Sequence, residues 1–189
     1  MSQKRIAILA SGSGTNAENI FKYFADSKDV VVDSLWSNKA DAYALVRARN
    51  FGVDTFVFDR EKFYQTDGIP DTLRERKVDL IVLAGFLWLI PESLVSSFPI
   101  INIHPALLPK YGGKGMYGMN VHRAVVENEE KESGISIHYV NENYDEGKLI
   151  FQATCPVLPE DTPEQVAAKV HELEYRYFPQ VIAQVLSEK

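Results

Sequence analysis

Short apolar runs alternate with amphipathic segments along most of the chain. Runs dominated by apolar residues lie at 5–10, 30–36, 53–58, 78–84 and 100–103. Runs of this length are typical of strands that are buried on both faces of a parallel sheet. Because segments with helical spacing separate them, we expect parallel strands joined by right-handed crossovers.

Helical spacing predicts helices over 17–24, 40–51, 120–128 and the second half of 60–77. Gly68 and Pro70 should interrupt the last of these segments, and Pro91 should start a further short helix. The final helix should begin with Thr162 as N-cap and Pro163 at its first position, and should be bent or interrupted at Pro179.

Strand-like segments at 133–140 and 148–156 flank a polar turn at 141–147, which predicts an antiparallel hairpin. The expected fold is therefore of the α/β class, with a Rossmann-like, mostly parallel sheet that has helices on both faces. A C-terminal antiparallel hairpin and a final helix complete it. We expect the 189 residues to form a single domain.

Composition excludes several classes of function. The net charge of −6 argues against nucleic acid as the main ligand. Cys155 is the only cysteine, so neither an intrachain disulfide nor a cysteine-based zinc site can form. The sequence has no secretory leader and no apolar run near 18 residues, so we expect a cytoplasmic protein without a membrane partner.

The turn Ser-Gly-Ser-Gly-Thr-Asn at 11–16 follows the first strand and opens a helix. In this arrangement backbone N–H groups and a helix N-terminus can bind an anion. A dinucleotide does not suit the turn, because Ala17 replaces the third glycine and no acidic residue follows the second strand at 37–39. One small phosphate fits better, and a tight turn without a ligand is the alternative.

The fifth strand ends in Asn102-Ile103-His104-Pro105, which places the amide and the imidazole on one face. An amide can hold an oxyanion and an imidazole can move a proton, although a turn cap and a strand end are the simpler reading. The segment 85–90 could be the wall of an apolar slot or a core segment under a loop. In parallel sheets, ligands bind at the carboxyl ends of strands, where these segments and the 11–16 turn should meet.

Several stretches together resemble one family of enzymes. These are residues 11–16, 37–42, 83–86 and 102–109, together with Asp145. They are similar to the phosphoribosylglycinamide formyltransferase family, folate-dependent enzymes of purine biosynthesis, over nearly the whole chain. The pattern Asn-x-His-Pro-[Ser/Ala]-Leu-Leu-Pro is shared across folate formyltransferases, and the Ser-Gly-x-Gly-[Ser/Thr]-Asn turn narrows the resemblance to this family.

The resemblance implies transfer of a formyl group from 10-formyltetrahydrofolate, as co-substrate, to the amine of 5′-phosphoribosylglycinamide, without a metal. It also implies small-molecule partners, and either a monomer or a homodimer. The catalytic residues that it implies are Asn102, His104 and Asp145. Those for the ribonucleotide are Gly14, Thr15, Asn16, His171 and Glu174. Those for the folate are Arg60, Leu87, Trp88, Leu89, Ile90, Asn102, Asn141, Glu142, Asn143, Tyr144 and Asp145.

Two positions differ from those of some family members, and two histidines match positions that recur in the family. Trp88 stands where some members carry arginine, and His171 stands where some carry glutamine. His122 and His138 match recurrent family histidines, but no spacing pairs them with a carboxylate, so we interpret them as structural.

Other enzymes with the same core are alternatives. A methionyl-tRNA formyltransferase should carry a further C-terminal domain and a basic surface. A formyltetrahydrofolate hydrolase should carry an N-terminal regulatory domain. Sugar-nucleotide N-formyltransferases differ in the first turn. A phosphate-binding module without catalysis would keep the turn at 11–16, but would not need Asn102, His104 and Asp145 together.

Overall fold

A seven-stranded sheet contains every strand that the apolar runs predict. The computed structural model describes residues 3–188. The strands are β1 (Lys4–Leu9), β2 (Val30–Ser37), β3 (Asp54–Val57), β4 (Leu80–Leu83), β5 (Ile100–His104), β6 (Glu132–Tyr139) and β7 (Leu149–Pro156). Their order is β3-β2-β1-β4-β5-β6-β7. β1 to β5 pair in parallel and β6 and β7 pair antiparallel, which confirms the predicted sheet and hairpin.

Seven helices connect or follow these strands within the described residues. They are α1 (Thr15–Phe24), α2 (Tyr43–Asn50), α3 (Arg60–Gln65), α4 (Gly68–Glu75), α5 (Glu92–Val95), α6 (Met119–Glu127) and α7 (Pro163–Ser187). The Thr162 side chain accepts a hydrogen bond from the Gln165 amide, which confirms the predicted cap of α7. α7 continues through Pro179 without interruption. No described helix combines the length and the apolar character needed to span a membrane.

The prediction for residues 60–77 was wrong in its first half. Helix α3 begins directly at Arg60, because the Asp59 side chain accepts a hydrogen bond of 2.8 Å from the Lys62 amide and so caps it. Gly68 and Pro70 do not interrupt a helix. They lie in the first turn of α4, where proline costs no internal hydrogen bond.

Side chains of each parallel strand alternate between two apolar layers. In β1, Ile6 and Ile8 pack towards α1, α2, α6 and α7, whereas Ala7 and Leu9 pack towards α3, α4 and α5. In β5, Ile101 belongs to the first layer, as does Ile103. Since successive residues of a strand point to opposite faces, Asn102 and His104 lie on the other face at the end of β5.

The register between β5 and β6 brings a second histidine beside Asn102. Asn102 pairs with His138 and Ile103 pairs with Ile137 in this antiparallel ladder. Ile137 is fully buried in the first apolar layer, so its neighbour His138 points to the face that carries Asn102.

A buried ion-pair network joins three strands and α4 near the amino-terminal edge of the sheet. The fully buried carboxylate of Asp33 accepts hydrogen bonds from Arg5 and from Nε of Arg76, the latter at 2.6 Å. Arg76 also contacts Asp54 at 2.6 Å. Burial acts to raise the pKa of Asp33, but hydrogen bonds from Arg76, Ser34 and Arg5 outweigh it and the pKa is lowered.

We expect Asp33→Asn to lower the free energy of unfolding by about 2 to 4 kcal/mol at pH 7, because it leaves two arginines without their buried acceptor. Since the folded-state pKa of Asp33 is below its ordinary value of 3.8, the ionised form stabilises the fold above that value. This contribution is lost as the pH falls through the folded pKa. Urea denaturation from pH 7 down to pH 3 measures both effects.

The matched control is Asp71→Asn, which removes a carboxylate that is 62% exposed and paired with Arg74 on α4. Exposed ion pairs contribute little to stability, so this variant should have the same denaturation midpoint as the wild type. Equal midpoints for the two variants would contradict a stabilising role for the Asp33 network.

Candidate active site

One cavity of about 680 Å³ opens at the carboxyl end of the parallel strands. The turn at 11–16, the segment at 85–90 and the residues Asn102 to His104 all line it. The glycine-rich loop at 113–118, the hairpin turn at 143–145 and the last helix complete the wall. The predicted convergence of three segments at this edge is therefore confirmed.

The turn at 11–16 presents the N-terminus of α1 to this cavity. Gly14 is the N-cap residue, with a left-handed φ of 75° and no side chain to cap the helix. A Cβ atom at this position would lie 2.5 Å from Cα of Ala44, so both the conformation and the packing require glycine. On the outer side of the turn, Arg47 donates a hydrogen bond of 2.8 Å to the Ser13 carbonyl oxygen.

The segment 85–90 forms an apolar wall that is tied to its surroundings by hydrogen bonds to the side chains of Ser11 and Tyr64. The hydroxyl of Ser11 donates to Asn38 at 2.7 Å and accepts from the Leu87 amide at 3.1 Å. The Tyr64 hydroxyl donates to the Leu89 carbonyl oxygen at 2.9 Å. Aromatic rings of the wall pack against further aromatic rings behind it. They belong to Phe58, Phe63, Tyr64, Phe86 and Trp88.

The turn between β6 and β7 brings Asp145 to the end of β5. Its carboxylate oxygens lie 3.5 Å from Nδ1 of His104 and 3.5 Å from Nε2 of His138. The same carboxylate accepts a hydrogen bond of 3.0 Å from the Gly113 amide. A left-handed φ of 56° at Asp145 and the close approach of Gly147 to the Tyr139 carbonyl oxygen shape this turn.

His104 is buried between two acceptors. Its Nε2 lies 2.7 Å from the Tyr111 carbonyl oxygen, so Nε2 carries a hydrogen and donates it. Its Nδ1 faces Asp145, so only the imidazolium can donate to both partners. Burial lowers the pKa of His104, whereas Asp145 and the Tyr111 carbonyl raise it, and the net effect is a lowered pKa.

The side-chain amide of Asn102 lies between His138 and Asp145. Its Nδ2 is 3.2 Å from Nε2 of His138 and 3.5 Å from Oδ1 of Asp145. Nδ1 of His138 donates to the Tyr139 carbonyl oxygen at 2.9 Å, so its Nε2 is the nitrogen that faces both Asn102 and Asp145. The contact with Asp145 is at the limit of a hydrogen bond, and the second N–H of Asn102 can turn to a substrate oxygen.

Asp145 stays ionised in this environment. Burial acts to raise its pKa, but the hydrogen bond with His138, the charge of His104 and the Gly113 amide outweigh burial and lower the pKa. His138 therefore lines the cavity and contacts a carboxylate, which the spacing of the sequence did not predict. The alternation of β6, with Ile135 and Ile137 in the core, was the sequence signal that placed it on the same face as Asn102.

The other end of the cavity is formed by α1, α6 and α7. Asn16 donates a hydrogen bond of 3.0 Å to Glu174, which lies 158 positions later in the sequence. Burial raises the pKa of Glu174, although His171 and Asn16 act in the opposite direction. His122 of α6 is buried, and its ring centroid lies 6.3 Å from that of His171.

Three predicted folate residues lie outside the cavity lining. The guanidinium of Arg60 stacks over the Trp88 ring at 5.2 Å, so it is beside the apolar wall. Asn141 accepts a hydrogen bond from the Asn143 amide and shapes the hairpin turn, and Glu142 is exposed there. Asn143, Tyr144 and Asp145 of the same turn do line the cavity.

Two further observations concern the chemistry that the site can support. Among residues 3–188, no cluster of three or more His, Cys, Asp or Glu side chains is placed to hold a metal ion. Cys155 is a free, buried cysteine away from the cavity lining, as expected for a small core residue. The site thus offers amide, imidazole and carboxylate groups, a helix N-terminus and an apolar wall.

Comparison with known proteins identifies the family. A family model described as formyl transferase matches residues 4–182. Phosphoribosylglycinamide formyltransferase of Haemophilus influenzae is 41% identical over 187 residues, which cover 95% of this chain and 85% of that protein. The chloroplastic enzyme of the same name from Arabidopsis thaliana is 41% identical over 197 residues, which cover 99% of this chain and 67% of the relative.

Solved structures agree with the sequence comparison. The crystal structure of glycinamide ribonucleotide transformylase 1 from Symbiobacterium toebii superposes with a TM-score of 0.88 at 34% identity, covering 98% of this chain and 89% of that one. Phosphoribosylglycinamide formyltransferase from Bacillus halodurans gives a TM-score of 0.86 at 32% identity, covering 97% and 96%. The chain therefore belongs to the formyl transferase family, among the phosphoribosylglycinamide formyltransferases.

Proposed function

We propose that this chain transfers the formyl group of 10-formyltetrahydrofolate to the amine of 5′-phosphoribosylglycinamide, and that Asn102, His104 and Asp145 carry the chemistry. The amine forms a C–N bond to the formyl carbon, and the bond between that carbon and N10 of the folate breaks. One proton moves from the amine to N10. The products are the N-formyl ribonucleotide and tetrahydrofolate, in de novo purine biosynthesis.

The observation that carries this proposal is the position of the three groups at one end of the cavity. Asp145 contacts His104 at 3.5 Å and Asn102 at 3.5 Å, in the same cavity as the turn at 11–16. Simple phosphate binding does not require a buried carboxylate that faces two imidazoles and an amide. Acyl transfer does require an oxyanion donor and a group that moves a proton.

Asn102 and His104 have different roles in this proposal. Attack by the amine gives a tetrahedral species whose oxygen carries a negative charge, and the loosely held N–H of Asn102 donates to it. Burial lowers the pKa of His104, and Nδ1 of the neutral ring, which faces Asp145, is the nitrogen that can accept the proton that the amine releases. Asp145 and the Tyr111 carbonyl then stabilise the imidazolium until the proton reaches N10.

The ribonucleotide occupies the α1 side of the cavity in this proposal. Its phosphate lies on the backbone amides of residues 13–16, at the positive end of the helix dipole. Lys39 lines the same cavity and adds positive charge. Glu174 and His171 of α7, together with Asn16, surround the ribose. The phosphate and the amine are then at opposite ends of the cavity.

The folate occupies the apolar side in this proposal. The ring system lies against Leu87 to Ile90, with Asn143 and Tyr144 of the hairpin turn over it. Arg60 is the cation nearest the outer end of this wall and suits a carboxylate of the folate tail. Asn141 and Glu142 then affect folate binding through the shape of the hairpin turn, without contacting the folate.

The cellular compartment and the oligomeric state of the protein are also part of this proposal. We expect a cytoplasmic enzyme that uses no metal and has small molecules as its partners. A monomer and a homodimer are both compatible with one catalytic domain. The Arabidopsis relative is named as chloroplastic, so localisation of the tagged chain by microscopy is the direct measurement.

A direct assay tests the reaction. Tetrahydrofolate formation from 10-formyltetrahydrofolate is followed by absorbance, with and without 5′-phosphoribosylglycinamide. The proposed function requires that turnover depends on the ribonucleotide. Turnover at the same rate without it would instead support a formyltetrahydrofolate hydrolase.

We expect Asn102→Ala to lower kcat by roughly 100- to 1000-fold, because one oxyanion donor is lost. The KM values for both substrates should change much less, since the contact strengthens in the transition state. Asn128→Ala is the control, because it removes an exposed amide that contacts only the Ala124 carbonyl on α6. A loss of less than tenfold in Asn102→Ala would count against this role.

We expect Asp145→Asn to lower kcat by about 100-fold, because the imidazolium of His104 loses its counter-charge. Asparagine tolerates the left-handed φ at this position, so the turn should persist. The pKa of His104 should fall further, and the acidic limb of the pH–rate profile should move to lower pH. NMR titration of His104 in both proteins measures the link, and an identical pKa would remove Asp145 from the catalytic group.

We expect Trp88→Ala to raise the KM for the folate by roughly 3- to 10-fold, because the apolar wall loses an aromatic ring. The KM for the ribonucleotide should not change. Tyr23→Ala is a matched control, since that ring is 51% exposed and lies outside the cavity. An equal rise in both KM values for Trp88→Ala would point to a general loosening of the fold.

A further inference from the structure

All four histidines of the chain line the active-site cavity, and the mechanism uses only some of them. His104 and His138 contact Asp145, and His171 lies with Glu174 on α7. His122 of α6 has no role in the chemistry described so far. It is 1% exposed, although it lines the cavity.

One buried nitrogen of the His122 ring has no hydrogen-bond partner among the described residues. This nitrogen is Nδ1. An unsatisfied buried ring nitrogen costs free energy, and most such groups in folded proteins are paired. A second atom of this kind, Oδ1 of Asn16, belongs to a residue that lines the same cavity. Both residues thus have capacity for hydrogen bonds that the protein itself does not use.

The position of His122 indicates what could supply the partner. Its ring is 6.3 Å from that of His171, at the end of the cavity with Glu174 and Asn16. It is also close enough to His104 for the charge of that residue to affect its pKa. In 5′-phosphoribosylglycinamide, the group between the reacting amine and the ribose is a carboxamide.

We propose that His122 recognises the carboxamide of the ribonucleotide and thereby determines specificity for an amine joined to ribose through an amide. A neutral imidazole has one N–H donor and one acceptor nitrogen, and a carboxamide has one acceptor oxygen and one N–H donor. The two groups are therefore complementary. This inference rests on the proposed function, because it assumes that the ribonucleotide lies between His104 and α7.

The environment keeps the ring in the required form. Burial, followed by the charges of His171 and His104, lowers the pKa of His122 to about 4. The ring is therefore neutral throughout the range from pH 6 to pH 8. His122 should bind the carboxamide without a charge and should contribute no step to the pH–rate profile in that range.

The test uses the wild-type protein labelled with ¹⁵N-histidine, in which only four residues give ring signals. Saturation with 5′-phosphoribosylglycinamide should shift the ring nitrogen signals of His122, as expected for a new hydrogen bond. Saturation with ribose 5-phosphate, which lacks the carboxamide, should leave the His122 signals in place while it shifts those of His171. Unchanged His122 signals with the full ribonucleotide would overturn the proposal, whether or not any variant folds.

Steady-state kinetics provide the second measurement. His122→Leu should raise the KM for the ribonucleotide by about 3- to 10-fold, the range expected for one lost neutral hydrogen bond, without change in the KM for the folate. His122→Asn and His122→Gln place an amide near Nδ1 and Nε2 respectively, and one of them should restore most of the affinity. Val125→Ala, on the same buried face of α6, controls for loosened packing.

The outcomes separate this inference from the function that it assumes. Equal rises in both KM values for His122→Leu, or the same KM pattern in Val125→Ala, would make His122 a structural residue. Absence of ribonucleotide-dependent formyl transfer by the wild type would instead overturn the proposed function. Calorimetry of ribonucleotide binding to the wild type shows which of the two has failed.

Discussion

The carboxylate of Asp145 is the group on which the geometry of the active site depends. It faces His104 of β5 and His138 of β6, and it accepts a hydrogen bond from Gly113 in the glycine-rich loop. One charged group therefore fixes two strands and a loop around the reacting centre. The antiparallel hairpin matters because its turn returns the chain to the end of β5, where this contact is made.

The site balances burial against charge. Burial lowers the pKa of His104 and Asp145 opposes that effect, so the imidazole has a lowered pKa although it lies beside a partner that stabilises its charged form. Such a group can accept a proton when a substrate releases one, and can return it at little cost. The Tyr111 carbonyl fixes the ring orientation from the other side, because Nε2 must donate to it.

The architecture of the sheet gives the cavity two different kinds of surface. The helix N-terminus after β1 and the polar groups of α7 make one side suitable for a phosphate and a ribose. The segment after β4 makes the other side apolar, and aromatic rings from α3 support it. β5 lies next to β4 in the sheet, and its amide and imidazole line the same cavity as both of these surfaces. His122 adds a buried ring nitrogen without a hydrogen-bond partner among the described residues, which we propose recognises the carboxamide between the amine and the ribose.

The sequence by itself determined the strands, most helices and the edge of the sheet at which the cavity opens. Apolar runs and glycine-rich turns are local signals, and parallel strands always bring their carboxyl ends to one edge. The contact of Asp145 with His104, the inclusion of His138 and the orphan nitrogen of His122 were decided only by the tertiary structure. The alternation of β6 indicates the face of the sheet on which His138 lies, but the register between distant strands, the path of the hairpin turn and the packing of α6 set the contacts themselves, and the spacing of residues does not give these.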